Sequence, residues 1–307
     1  MQDLNQNDVT NDLVRDLLRE KRADRRWKNI RFLFWIVLIA CVIYGIFHAV
    51  SGNKSTSGKG GNKQAALIRL DGMIAPGREF SAETVVPVLK DAFEDKQTVG
   101  VIIDINSPGG TPVQASIIHD AIVTMKKRYH KKVVVVGEDL LTSGAYYVAV
   151  AADQIYVNPS TLTGSIGVII KGFGFTDVMK KIGIERRVYT AGTDKDRLDP
   201  FLPQTPEDMK KIQEVMGEVH KNFEQAVLDG RKGRLHVADP NTLFTGDFWS
   251  GQSALSLGLV DGLGNLSDVM EKEFGTSHFK EFGSRTNVFK MLGGQLGSAF
   301  DTIIYAL

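Results

Sequence analysis

An apolar run that ends in a glycine turn does most to limit what this chain can fold into. Val101-Ile102-Ile103-Asp104-Ile105 leads into Asn106-Ser107-Pro108-Gly109-Gly110. Apolar residues in succession, not in alternation, describe a strand covered on both faces. A second such strand, Val133–Val136, follows the stretch Thr111–Arg128, where Val113, Ile117, Ile118, Ala121, Ile122 and Met125 recur close to a 3.6 period. Ala66–Leu70 and Gln154–Val157 supply further strands, and Ser81–Asp95, with Ser81 as N-cap, a further helix. Ser143–Ala151 reads as a small-residue helix, and Thr205–Lys232 as a long amphipathic one. Shorter helices are expected over Ser253–Leu257 and Leu266–Phe274. Strands alternating with helices imply an α/β domain with a largely parallel sheet.

The N-terminal part has a different character. Phe32–Val50 reads FLFWIVLIACVIYGIFHAV, close to the length that a membrane-spanning helix needs. Eight Lys and Arg residues between Arg15 and Arg31 precede it, and only Lys54, Lys59 and Lys63 follow closely. The excess of positive charge before the span puts the N-terminus in the cytoplasm and the bulk of the chain outside. The basic leader is long for a cleaved signal, and no clean Ala-x-Ala site follows, so an uncleaved anchor is expected. The organisation is then a cytoplasmic tail over 1–31, an anchor over 32–50, a Gly/Ser/Lys linker over 51–63, a folded domain over 64–275 and a C-terminal tail over 276–307. Within it, Asn287–Leu307 reads either as a packed terminal helix or mobile end or as an arm that docks on a neighbouring subunit.

The chain has 307 residues and a formal net charge of +1, so it carries no basic footprint for nucleic acid. Its single cysteine, Cys41, excludes an intrachain disulfide. No Walker-type loop or Cys/His cluster is present in the sequence, so neither a cofactor nor a metal is expected.

The chemistry centres on Thr142-Ser143-Gly144-Ala145-Tyr146-Tyr147. A serine at the head of a buried helix can act as a nucleophile if a base takes its proton and donors hold the oxyanion. No histidine lies between Ser143 and Lys195, and none has a motif around it. His220 and His236 are compatible with a triad by spacing, because triad order varies between folds, but they read as solvated surface residues. Lysine is the alternative base, and it serves only where burial disfavours the ammonium. Lys195 sits in Gly192-Thr193-Asp194-Lys195-Asp196-Arg197; on an extended segment Asp194 and Asp196 point away from it.

Four pieces together carry a resemblance: the Asn106–Gly110 turn, Ser143 in Thr142–Tyr147, Thr163-Gly164-Ser165-Ile166-Gly167-Val168, and Ala191-Gly192-x-x-Lys195 followed by Pro200-Phe201. Over roughly residues 66–275 the chain resembles the bacterial signal peptide peptidase A family in its short, single-span form. Asp194 departs from the aromatic residue that this family often carries before the lysine. The resemblance implies a ClpP/crotonase-like fold and a serine endopeptidase with a Ser–Lys dyad. Ser143 would be the nucleophile, Lys195 the general base and Ser165 the residue that orients the lysine. Amides of Gly144 and of Gly110 or Gly109 would form the oxyanion hole. It further implies a ring of identical subunits, with the serine and lysine of one site coming from neighbours. The anchor would lie in the bacterial inner membrane with the catalytic domain on the outer, periplasmic side, and the substrates would be remnant signal peptides and other hydrophobic or unfolded segments.

Two rivals use the same fold. A non-catalytic oligomeric scaffold has no need of Ser143, Ser165 and Lys195 together. A crotonase-type acyl-CoA enzyme would leave the serine turn unused and would lack ready acyl-CoA outside the cytoplasm.

Overall fold

The structure, a computed structural model, describes residues 31–41, 44 and 64–283. The chain divides into two units, Met1–Gly61 and Asn62–Leu307. In the first unit residues 31–41 are helical, with Phe32 68% and Trp35 59% exposed. Among the described residues no helix is long and apolar enough to cross a membrane. The rest of the expected span, apart from Tyr44, lies outside the described residues, as do the linker over 51–63 and residues 284–307.

The second unit is built on one sheet. Its central strands are β1 (Gln64–Asp71), β2 (Thr98–Ser107) and β3 (Lys132–Thr142). They are parallel and lie in the order β3-β2-β1, with β8 (Phe279–Phe282) parallel on the outer edge of β1. The sheet therefore takes in residues past position 275. Helix α1 (Ala82–Glu94) joins β1 to β2, and α2 (Pro112–Tyr129) joins β2 to β3. Ser81 caps α1 as expected, its Oγ accepting from the Thr84 amide at 3.3 Å.

Both faces of these strands are buried, and that explains their unbroken apolar runs. Ala66, Ile68 and Leu70 pack with Leu89 and Phe93 of α1 and with Ile118 and Ile122 of α2. Leu67, Ile102, Val134 and Tyr156 face the other way, under Val269 and Met270 of α7 (Leu266–Phe274). Each such aliphatic side chain contributes about 1.5–3 kcal/mol by leaving water. The exception in β2 is Asp104, which is buried beside Arg69 of β1. Burial, and then the nearby Glu138 carboxylate, push its carboxyl up to about 7.

Strand β3 forks the sheet. Val134–Gly137 pair with β4 (Gln154–Val157), and Leu140–Thr142 pair with β5 (Leu162–Gly164). The register against β2 shifts at the same place, from Ile105↔Gly137 to Ser107↔Leu141. Asn106 bridges the irregularity, its Oδ1 accepting from the Leu140 amide at 3.2 Å. Asn106 thus shapes the end of the strand. Strand β6 (Phe248–Ser250) runs antiparallel to β5, and β7 (Gly262–Leu263) extends β4.

After β3 come the short helix α3 (Gly144–Ala149), then α4 (Thr176–Ile182) and the long α5 (Pro206–Gly230). Helix α5 begins with a capping box, in which Thr205 and Asp208 satisfy each other's amides. Just past its end, Arg231 is only 2% exposed. Its guanidinium donates to the Gly258 carbonyl at 3.0 and 2.8 Å and to both Asp261 oxygens at 2.7 and 3.1 Å. This buried fork fixes the end of α5 against the turn after α6 (Gly251–Leu257), and α5 packs on the short helix α3.

Candidate active site

The end of β3 carries the serine. Ser143 stands between the strand and α3 with φ 53° and ψ −126°, a conformation that an L-residue adopts only under constraint. Such strain costs on the order of 1–3 kcal/mol and persists where neighbours dictate it. Two backbone bonds do so here. The Ser143 amide donates to the Gly164 carbonyl at 2.8 Å, and the Ser143 carbonyl accepts from the Tyr147 amide at 3.0 Å. Every residue of α3 is buried, so the turn is anchored from below while Ser143 stays half-exposed. A serine on a sharp strand-to-helix turn presents its hydroxyl at the top of the sheet.

The glycine turn after β2 meets this serine through backbone alone. Gly109 has φ 94°, and a side chain there would stand 2.7 Å from both the Gly144 nitrogen and Ser143 Cβ. Its amide is already used, donating to Ser107 Oγ at 3.1 Å. The next amide, that of Gly110, has no acceptor among the described residues, nor has that of Gly144 at the first position of α3. A methyl group on Gly144 would lie 3.2 Å from the Gly110 nitrogen, which shows how closely the two turns approach. Of the sequence alternatives for the oxyanion hole, the free pair is Gly110 with Gly144.

The position of Gly110 allows a direct test. A Cβ there would fall 1.9 Å from the Ile74 carbonyl oxygen, which accepts from the Thr111 amide at 2.9 Å. Gly110→Ala must therefore move the turn. Turnover measured beside the thermal midpoint is expected to fall by about a hundredfold, the usual effect of losing one oxyanion donor. Parental turnover in this variant would remove Gly110 from the site.

Strand β5 leads into a second strained turn. Ser165 has φ 51°, and its amide donates to the Asp247 carbonyl at 2.7 Å. The following residue, Ile166, is fully buried. Its carbonyl accepts from the Gly246 amide at 3.0 Å and lies 3.2 Å from His220 Nε2. Ser143 and Ser165 share a cleft of about 940 Å³ that Met216, His220 and Phe244 also line. A smaller cleft of about 490 Å³ also reaches Ser143, walled by Ala115, Tyr147, Val219 and Phe223. It is mainly apolar and suits a hydrophobic side chain of a bound segment.

Lys195 is the expected site residue that the fold of one chain leaves apart. It lines neither cleft and is exposed. Residues 193–198 form successive turns, not the extended segment expected from the sequence. Asp194 is held by Arg197 at 3.1 Å, and Arg197 also binds Asp208 of α5 at 2.8 Å. These ion pairs keep the Asp194 carboxylate occupied by a residue other than Lys195.

Of the two histidines read as solvated, His236 is exposed as expected and His220 is not. His220 is not a solvated surface residue: its side chain is 25% exposed, it lines the serine cleft, and its Nδ1 lies 3.2 Å from Glu224 Oε1. His119 is 14% exposed and meets the Tyr147 ring edge-on at 5.3 Å. Helical periodicity alone treats both as outward polar positions. The signal available for His220 was Glu224 four residues on, within reach on the same helical face.

Comparison with known proteins finds peptidases among the relatives of this chain. The family model described as peptidase family S49 matches residues 125–274, a range that contains Ser143, Ser165 and Lys195. A presumed protease of Methanocaldococcus jannaschii is 30% identical over 244 residues, covering 76% of this chain and 77% of that protein. A presumed signal peptide peptidase SppA of Enterococcus faecium is 29% identical over 218 residues, covering 68% of this chain and 62% of that protein. A Brucella abortus protein named as the Na(+)/H(+) antiporter NhaA is 43% identical over 214 residues, covering 68% of this chain. The chain spans only 29% of the length of that Brucella protein.

Proposed function

Since the chain belongs to peptidase family S49 and is a serine peptidase, we propose that it is a membrane-anchored endopeptidase acting through a Ser143–Lys195 dyad. The observation that carries this reading is the strained Ser143 turn against two free amides, those of Gly110 and Gly144. Ser143 Oγ attacks the scissile carbonyl while Lys195 Nζ takes its proton. The two amides hold the oxyanion of the tetrahedral intermediate. The lysine then returns the proton to the leaving amine, and water, with its proton passing to the same lysine, hydrolyses the acyl-enzyme. Ser165, in the cleft of Ser143, orients the lysine.

The lysine comes from a neighbouring copy in a ring. Its exposure in a single chain and its distance from both clefts support that arrangement. So does the exposed apolar surface of the segment that precedes it in the chain: Ile169 is 70% exposed, Phe173 81%, Ile184 58% and Tyr189 92%. Side chains of this kind in one stretch mark a surface that another chain covers. Covering it also takes Lys195 out of water, as a neutral lysine base requires.

We assign the domain to the ClpP/crotonase type. Residues 32–50 anchor it in the bacterial inner membrane, with the basic N-terminus in the cytoplasm and the peptidase on the outer face. The substrates are remnant signal peptides and other hydrophobic or unfolded segments, for which the apolar cleft beside Ser143 is suited. The test is covalent labelling of the detergent-solubilised full chain with a fluorophosphonate, followed by mapping of the adduct. Modification of Ser143 is expected; modification of another serine, or none in the assembled protein, would overturn the assignment.

A further inference from the structure

Resting on the site proposed above, we infer that His220 is a positioning residue for catalysis, acting through the Ser165 turn. Ser165 is held at φ 51°, and a strained turn needs anchors. Two of them are backbone groups of one neighbouring loop: the Asp247 carbonyl, which takes the Ser165 amide, and the Gly246 amide, which donates to the Ile166 carbonyl. Among the described residues His220 is the one side chain that joins them, with Nε2 3.2 Å from that same carbonyl. It also brings a different element to bear, because it projects from α5, whose end Arg231 fixes.

The chemistry of the contact is specific. Ile166 O is an acceptor, so His220 Nε2 must carry a proton to bond it. Glu224 Oε1, 3.2 Å from Nδ1, is an acceptor as well. The carboxylate beside Nδ1 holds the ring in the orientation that points Nε2 at Ile166. Glu224 is the charged group that faces the ring, since the remaining lining of the cleft carries none. Released from His220, the Ile166 peptide keeps one donor, and the turn that brings Ser165 into the cleft of Ser143 is held less firmly. Lysine orientation suffers, whereas Ala115 and Tyr147, which wall the apolar cleft from α2 and α3, keep their places. The effect belongs in kcat and not in KM.

Two replacements separate this role from simple packing. His220→Leu keeps bulk but has no donor; His220→Gln keeps an N–H for the Ile166 carbonyl. In peptide hydrolysis by the full chain, His220→Leu is expected to lower kcat by about tenfold with KM within about twofold, the effect of one lost hydrogen bond to a catalytic turn. His220→Gln is expected to stay within about threefold of the parent on the same scale. Parental kcat in the leucine variant, or an equal loss in both, would overturn the inference. Should the leucine variant fail to assemble, Glu224→Ala loosens the same ring from a more exposed position, and unchanged kcat there would also overturn it. Ser143→Ala runs beside them as a control. Full turnover without Ser143 would remove the serine site and the His220 role with it. Turnover that depends on Ser143 but ignores His220 would remove only the latter.

Discussion

Ser143→Ala, assembled as the full chain, is expected to cleave a hydrophobic signal-peptide-like substrate at least about 10⁴-fold more slowly than the parent. The size follows from what the hydroxyl does. Without it no acyl-enzyme forms, and only binding and the oxyanion donors at Gly110 and Gly144 remain to assist water. Stability should hardly change, since the backbone and not the hydroxyl carries the strained turn: the Ser143 amide bonds Gly164, and its carbonyl bonds Tyr147. Alanine resists φ 53° about as serine does. The measurement is therefore a rate at unchanged thermal midpoint and unchanged oligomer. Residual cleavage above about one hundredth of the parent would show that another group does the chemistry.

Much of this site was legible in the sequence because local chemistry writes it. The run Val101–Ile105 demands a strand covered twice, and it is found inside β2 with helices on one face and α7 on the other. Gly109 and Gly110 are glycines because Ser143, Gly144 and Ile74 leave no room for a Cβ. The two partners Ser143 and Ser165, 22 positions apart in the chain, meet because β3 and β5 are neighbours in the sheet. Strands β5, β6 and β7 were not legible: at three, three and two residues they are too short for a period to show. Helix α4 escaped for a related reason, since its seven residues bury none of their side chains and leave no apolar stripe against a core. His220 is harder to read because its contact with the Ile166 carbonyl spans 54 positions, which no periodicity within α5 records. Lys195 shows the converse: the spacing singles it out, but no periodicity says that one chain leaves it in solvent.

That exposure makes the second large effect a test of assembly as well as of chemistry. Lys195→Ala is expected to be as inactive as Ser143→Ala, because a serine hydroxyl without a base is a poor nucleophile. The two inactive proteins differ in what they lack. In a head-to-tail ring, each site combines the serine of one subunit with the lysine of the next. Subunits of the two variants, unfolded together in equal amounts and reassembled, then form some junctions with both groups intact. If each junction draws its two sides independently, about a quarter of the sites are complete, and about a quarter of parental turnover returns. Separately assembled variants mixed without exchange should recover nothing, which controls for contamination. The ion pairs around the lysine make the fold of the Lys195→Ala subunit safe, since Asp194, Arg197 and Asp208 bond one another and not Lys195. No recovery in rings shown to contain both variants would mean that Ser143 and Lys195 of one site belong to one chain. The turns over residues 193–198 would then have to carry Lys195 to its own Ser143, and the exposed apolar side chains from Ile169 to Tyr189 would cover something other than a neighbouring active site.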